Sequence, residues 1–132
     1  MARVSVINDD TAFLALMHDV LEDAGYEVFL HREGAQAHPR VKEEQPDLII
    51  LDIRMEHPDS GWLVLELLRL DPATSNLPVI VCSADTIALQ AKEEMLRRQD
   101  CQILEKPFDL DMLLAMVNEK IGLPEEQLAG EG

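Results

Sequence analysis

The spacing of apolar residues in this chain switches repeatedly between two periods, and that alternation constrains its fold more than any other feature. Short runs rich in Val, Ile and Leu lie at Val4–Ile7, Val28–Leu30, Leu48–Leu51, Val79–Cys82 and Ile103–Leu104. Two of them, Leu48-Ile49-Ile50-Leu51 and Val79-Ile80-Val81-Cys82, are continuous rather than alternating. A strand that is apolar at every position is covered on both faces, as in a parallel sheet flanked by helices. Between the runs, apolar residues recur every three or four positions. Leu14, Met17, Leu21 and Ala24 form one such stripe, with Gly25 as a stop signal. Trp62–Leu70 is apolar almost throughout and predicts a well-buried helix, with Trp62 packing at its start; Ala88–Arg98 predicts one more polar helix. Leu110, Leu113, Leu114, Val117 and Ile121 make a further stripe, with Asp109 placed to cap its start and Gly122 and Pro124 to end it. The segment Gly34–Gln45 is weaker. Pro39 lacks an N–H, so the helix there is expected to begin near Pro39 or to be distorted at it.

Strand followed by helix, five times over, predicts an α/β fold: a doubly wound, five-stranded parallel sheet with five helices. No internal repeat or linker divides the chain. Residues 1–122 are expected to form one domain, and 123–132, acidic and Gly-containing, a frayed tail or the start of a linker.

A chain of 132 residues can bury about two-thirds of the surface it exposes when unfolded, so no staples are required. Lys and Arg number 11 against 26 Asp and Glu, a net charge of −15. That balance disfavours direct nucleic acid contact, which depends on cations neutralising phosphates. The charge either keeps the domain in solution or reflects carboxylates grouped around a cation, and only their positions decide. No apolar run approaches the ~20 residues of a membrane span, and Met1-Ala2-Arg3 opens no signal-peptide pattern, so a cytoplasmic setting without membrane contact is expected. Cys82 and Cys101 are too far apart for a CxxC pair and read as small buried hydrophobes. His18, His31, His38 and His57 show no metal-ligand spacing and read as surface or loop residues. Met112 and Met116 are packing residues or an adaptable contact for a partner.

In an open parallel sheet, ligands bind beyond the carboxyl ends of the strands. The first run is followed by Asn8-Asp9-Asp10, the third by Asp52, the fourth by Ser83-Ala84 and the fifth by Lys106-Pro107. Carboxylates, a hydroxyl and an ammonium therefore meet on one edge. Crowded carboxylates repel unless they share a cation, and all-oxygen ligands completed by water suit Mg²⁺. Such a site can also gather a phosphoryl group for in-line attack by a carboxylate oxygen. Asp10, by contrast, reads as a helix-start carboxylate.

The set Ile7-Asn8-Asp9-Asp10, Leu51-Asp52-Ile53-Arg54-Met55, Cys82-Ser83-Ala84 and Glu105-Lys106-Pro107-Phe108 resembles the receiver domain of two-component response regulators, over about residues 3–121. That resemblance implies a flavodoxin-like receiver fold that is not an enzyme. It makes Asp52 the phosphoacceptor, taking a phosphoryl group from a sensor histidine kinase or a histidine phosphotransfer protein. Asp9, Asp52 and the backbone carbonyl of Arg54 would hold Mg²⁺. Ser83 would bond a phosphoryl oxygen and Lys106 would pair with the phosphoryl group, while Pro107 holds the following turn, often through a cis bond in that family. The output would be a shift of the fourth helix and fifth strand, so the surface around Ala88–Ile121, including the fifth helix, is the expected face for a downstream protein target or a homodimer.

The sequence also departs from the family pattern. Spacing to Gly25 puts Asn8 at the first position of the family's acidic pair, so Asn8 is expected to hold a metal-bound water through its amide oxygen, and Mg²⁺ to bind less tightly. Ile103 stands where the family usually carries a Tyr or Phe that swings inward, so switching through Ser83 and Ile103 takes a different form. The loop from Arg54 to Gly61 is one residue longer than usual, with Pro58 late; Arg54 either affects the approach of phosphate or water or is a solvated loop residue. The alternative to a phosphorylated switch is a degenerate receiver, a phosphorylation-independent interaction module, favoured by Asn8 and Ile103. A haloacid-dehalogenase-type phosphohydrolase would need a second acid two positions after Asp52, where Arg54 stands, and neither phosphate-loop motif for nucleotides is present.

Overall fold

The computed structural model describes residues 2–53 and 60–122. Its elements run β1 (Arg3–Ile7), α1 (Thr11–Asp23), β2 (Glu27–His31), α2 (Gly34–Glu44), β3 (Leu48–Asp52), α3 (Ser60–Leu70), β4 (Val79–Ser83), α4 (Thr86–Ala91), α5 (Glu93–Arg98), β5 (Cys101–Glu105) and α6 (Leu110–Ile121). All strand pairs are parallel, and the sheet order is β2-β1-β3-β4-β5.

The pleat divides the core into two layers. Ile49, Leu51, Val79 and Val81 pack with Ala37 and Val41 of α2, Val64, Leu65 and Leu68 of α3, and Leu89 and Leu96 of α4 and α5. The alternate positions Leu48, Ile50, Ile80 and Cys82 pack on the opposite face with Leu14, Met17 and Leu21 of α1 and Leu113 and Val117 of α6. β3 and β4 are buried at every position, as their continuous apolar runs require. Tyr26 fastens the end of α6 to the start of β2. Its hydroxyl hydrogen-bonds Asn118 Oδ1 and donates to the Gly122 carbonyl at 3.1 Å, and burial raises its pKa.

Four sequence expectations need correction. α2 begins at Gly34 and runs through Pro39, so it does not start at the proline. Ala37 and Val41, one turn apart, are both fully buried against the sheet, and that packing holds the helix across the missing donor. The segment read as one helix over Ala88–Arg98 is two, which makes six helices among the described residues rather than five. The break falls at Lys92, whose N–H bonds back to the Leu89 carbonyl in a tighter turn, and Leu89 and Leu96 on either side of it are both buried. α3 is buried on one face only: Leu63, Leu67 and Leu70 are exposed. His31 is buried rather than superficial, because Glu44 of α2 accepts a 2.8 Å contact from its ring at the end of β2. His38 is half-buried and ties α2 to Asp71 at 2.9 Å. His57 and the segment 123–132 lie outside the described residues.

Candidate functional site at the carboxyl edge of the sheet

β1 leads through α1 on one face to β2, and the chain returns through α2 on the other face to β3. The crevice where the connections diverge therefore opens between the carboxyl ends of β1 and β3. Asn8, Asp9 and Asp10 follow β1, and Asp52 is the last residue of β3. Ile7 pairs with Leu51, so Asn8 stands level with Asp52 on the neighbouring strand.

The residues of this edge are treated differently by the fold. Asp52 is buried, 7% exposed, whereas Asp9, in the turn after β1, is exposed. Asp10 caps α1: its Oδ1 accepts from the N–H groups of Ala12 at 3.0 Å and Phe13 at 3.3 Å. The helix-start reading of Asp10 is thus the geometry observed. Asn8 is buried, its N–H donating to the His31 carbonyl at 3.0 Å and its Oδ1 accepting from Asp10 N–H at 2.9 Å.

Lys106 closes the crevice from β5. Its ammonium donates to Asp52 Oδ2 at 2.7 Å and lies 4.7 Å from the centre of the Phe13 ring. Phe108 meets Phe13 edge to face at 6.3 Å between centroids, backing the ring that lies beside the lysine. The Lys106 N–H donates to the Ser83 carbonyl at 2.9 Å, and the Lys106–Pro107 peptide is cis. Ser83 ends β4, buried, with Oγ accepting from Asp85 N–H at 3.0 Å. Its hydroxyl proton remains available to a ligand. Asp85 in turn caps α4 by accepting from Ala88 N–H at 3.0 Å, so Ser83 is linked to the start of that helix.

Asp52, Ser83 and Lys106 are therefore brought together, with Asn8 and Asp9 at the same edge. Arg54, Pro58 and most of the loop after β3 lie outside the described residues. Ile103 is partly buried against the core and lines a cleft of about 630 Å³ with Leu89, Pro107, Phe108 and Met112. Met116 packs against the core, whereas Met112 is 55% exposed beside that cleft. Sequence reading missed two features. Phe13 lies beside the lysine and Phe108 packs on Phe13; both were visible as aromatic residues, but only the fold makes them neighbours. Gly61 passes so close to β3 that its N–H donates to the Ile53 carbonyl at 3.0 Å, and a Cβ there would lie 2.3 Å from Ile53 Cα.

Cys82 sits beside this edge with no access to it. Burial pushes its thiol up to about 12, the Lys106 charge opposing and the Asp52 charge assisting that rise.

Comparison with known proteins matches this geometry. The model of the response regulator receiver domain fits residues 4–118. The chain belongs to that family. As a receiver domain of two-component signalling it is similar to the polar-differentiation response regulator DivK of Brucella anthropi, 29% identical over 120 residues that cover 90% of this chain and 95% of DivK. Its fold superposes on the receiver domain of the Francisella response regulator 1452 with a TM-score of 0.80 at 28% identity, covering 92% of this chain and 97% of that one. The receiver domain of the sensor histidine kinase PA1611 from Pseudomonas aeruginosa, described with magnesium coordinated in its active site cleft, shares the fold at a TM-score of 0.77 and 24% identity, over 92% and 98% of the two chains. Among the described residues, no helix is long and apolar enough to cross a membrane.

Proposed function

We propose that this receiver accepts a phosphoryl group on Asp52 from a phosphohistidine carried by a sensor histidine kinase or a histidine phosphotransfer protein, in the cytoplasm. The observation that carries the reading is the 2.7 Å contact between Lys106 Nζ and Asp52 Oδ2 at the switch point of the sheet. A buried carboxylate held by a lysine, with a serine hydroxyl beside it, suits capture of a dianionic group.

The donor set also fits a hard cation. Among the described residues no group of three or more His, Cys, Asp or Glu side chains could hold a metal. Asp9 and Asp52 would supply two carboxylates, with the Arg54 carbonyl, outside the described residues, and waters completing the sparse oxygen shell that Mg²⁺ accepts. When bound, Mg²⁺ supplies positive charge at the phosphoryl oxygens. A carboxylate oxygen of Asp52 attacks phosphorus in line as the P–N bond of the phosphohistidine breaks. The imidazole leaves with the electrons of that bond and is protonated by solvent. Lys106 then pairs with the phosphoryl group, and Ser83 donates its hydroxyl proton to a second phosphoryl oxygen.

A shift of Ser83 Oγ toward the phosphoryl group would pull on the bond it accepts from Asp85 N–H and so disturb the cap of α4. The consequence is carried to the face formed by α4, α5, β5 and α6, where Ile87 is 79% exposed and Ile103 lines the cleft. That face is where a downstream protein or a second copy would bind. The aspartyl phosphate is lost by slow hydrolysis, so the domain is a switch and turns over no substrate of its own.

Titration with beryllofluoride and Mg²⁺, followed by backbone amide NMR, tests the reading. Saturable shifts at Asp52, Ser83 and Lys106 are expected, spreading to α4. Spectra that stay unchanged would favour a receiver used as a phosphorylation-independent interaction module.

A further inference from the structure

Asn8 has a side-chain arm that the reading above leaves unused. The residue is 1% exposed, and its Oδ1 accepts from Asp10 N–H at 2.9 Å. That contact identifies the two arms of the amide, since an NH₂ group cannot accept from an N–H. Nδ2 is consequently the other arm. It is buried and has no hydrogen-bond partner among the described residues. A buried donor without an acceptor is uncommon in native proteins and points to a ligand that supplies one.

The chemistry of the site selects among ligands. Mg²⁺ repels the N–H dipole, and a metal-bound water, with one lone pair committed to the metal, is a strong proton donor and a poor acceptor for Nδ2. A phosphoryl group offers acceptors only. Register places Asn8 level with Asp52, one residue beyond the Ile7–Leu51 pair and at the same parity of the pleat. No hydrogen bond joins Nδ2 to the Asp52 carboxylate itself, and a group carried by Asp52 would bring an acceptor to the neighbouring strand end.

We propose that Asn8 Nδ2 donates a hydrogen bond to an oxygen of the phosphoryl group on Asp52, which makes Asn8 a ligand of the phosphoryl group rather than of the metal shell. The inference rests on Asp52 being the phosphoacceptor. It gives the replacement of an acidic residue by Asn8 a positive function: one negative charge fewer facing the incoming phosphoryl group, and one additional donor bound to it. The donor sits on a rigid strand end, where the Asp10 and His31 backbone contacts hold the amide in place before phosphorylation.

The test follows the side-chain amide protons of Asn8 by ¹H–¹⁵N NMR in the whole chain, assigned by their loss in Asn8→Asp. Mg²⁺ is added first and beryllofluoride second. One Asn8 amide proton is expected to move downfield at the second addition and not at the first. Equilibrium titrations of Asn8→Ala supply an independent readout: beryllofluoride affinity is expected to fall about tenfold, the size of one lost charge-assisted hydrogen bond, with Mg²⁺ affinity kept. If Asn8 serves only to shape the turn before α1, both affinities and the melting temperature fall together, and the proposal fails. It fails equally if the amide protons move with Mg²⁺ alone, or stay still while Asp52 and Ser83 backbone signals report a formed complex. If no signal responds to beryllofluoride at all, it is the phosphoacceptor reading that is overturned, and the proposal goes with it.

Discussion

Lys106 Nζ and Asp52 Oδ2 lie 2.7 Å apart across the carboxyl edge of the sheet, and each is more than two-thirds withdrawn from solvent, with side-chain exposures of 26% and 8%. The two strands that carry them are separated by β4, so the contact exists only because the sheet order is β3-β4-β5. The Phe13 ring lies beside the ammonium and stiffens its position. Replacing Lys106 by Met keeps the apolar stem and removes the charge. Phosphoryl adduct formation from acetyl phosphate at fixed Mg²⁺ should slow by about 10²-fold, the scale of removing one preorganised donor. A stopped time course read by intact mass measures it, and an unaltered rate would remove Lys106 from the chemistry.

Gly61 is fixed by contact rather than by a turn. A Cβ would lie 2.3 Å from Ile53 Cα and 2.5 Å from the Asp52 carbonyl oxygen, and both obstacles are backbone. Gly61→Ala should therefore push α3 away from the end of β3, at a cost of about 1–3 kcal/mol. Thermal melting should show a fall of about 5–10 °C. A melting temperature equal to wild type would mean that the approach of α3 to β3 is looser than described.

His31 makes stability depend on pH. Burial lowers its pKa, Glu44 opposes the shift through charge and a hydrogen bond, and Arg40 adds to it. The unfolded chain then takes up the proton more readily than the folded one, starting from the ordinary value of 6.5. The His31 contribution is whole above that value and is lost as pH falls from it through the lower folded pKa. Urea unfolding between neutral and mildly acid pH should show His31→Gln losing less stability than wild type over that window. Parallel curves for the two proteins would contradict this account. The backbone carbonyl of His31 also accepts from Asn8 N–H.

The layered fold was legible because its signals are local. Continuous apolar runs at β3 and β4 and the three-to-four spacing in α1 and α6 each state their own burial. Caps at Asp10 and Asp109 were legible for the same reason: a short carboxylate before an apolar stripe accepts nearby N–H groups. What failed depended on packing between distant segments. Pro39 argues against a helix locally, and only the burial of Ala37 and Val41 against the sheet overrides it. The break at Lys92 is not announced by the apolar spacing, since Leu89 and Leu96 would share one face of a continuous helix. The exposed face of α3 hides in the sequence because Leu63, Leu67 and Leu70 look like core residues. At the site, residue types at strand ends could be named, but neither the Phe13 ring beside Lys106 nor the buried amide of Asn8 has a sequence signature.

Cys82 should be chemically silent in the folded protein. Its thiol is 1% exposed and held protonated up to about pH 12, whereas thiolate is the reactive form. Ellman's reagent at mildly alkaline pH should leave Cys82 unmodified until denaturant is added, as peptide mapping of the labelled protein would show. Rapid native labelling at this position would mean that β4 opens at the site edge.

The central claim is that Asp52 is the residue that becomes phosphorylated. Intact mass spectrometry after incubation with Mg²⁺ and acetyl phosphate tests it most directly, with Asp52→Asn treated in parallel. One added phosphoryl group is expected on the wild-type chain, labile to base and absent from the variant. An adduct of the same mass on Asp52→Asn, or none on either protein, would contradict the account.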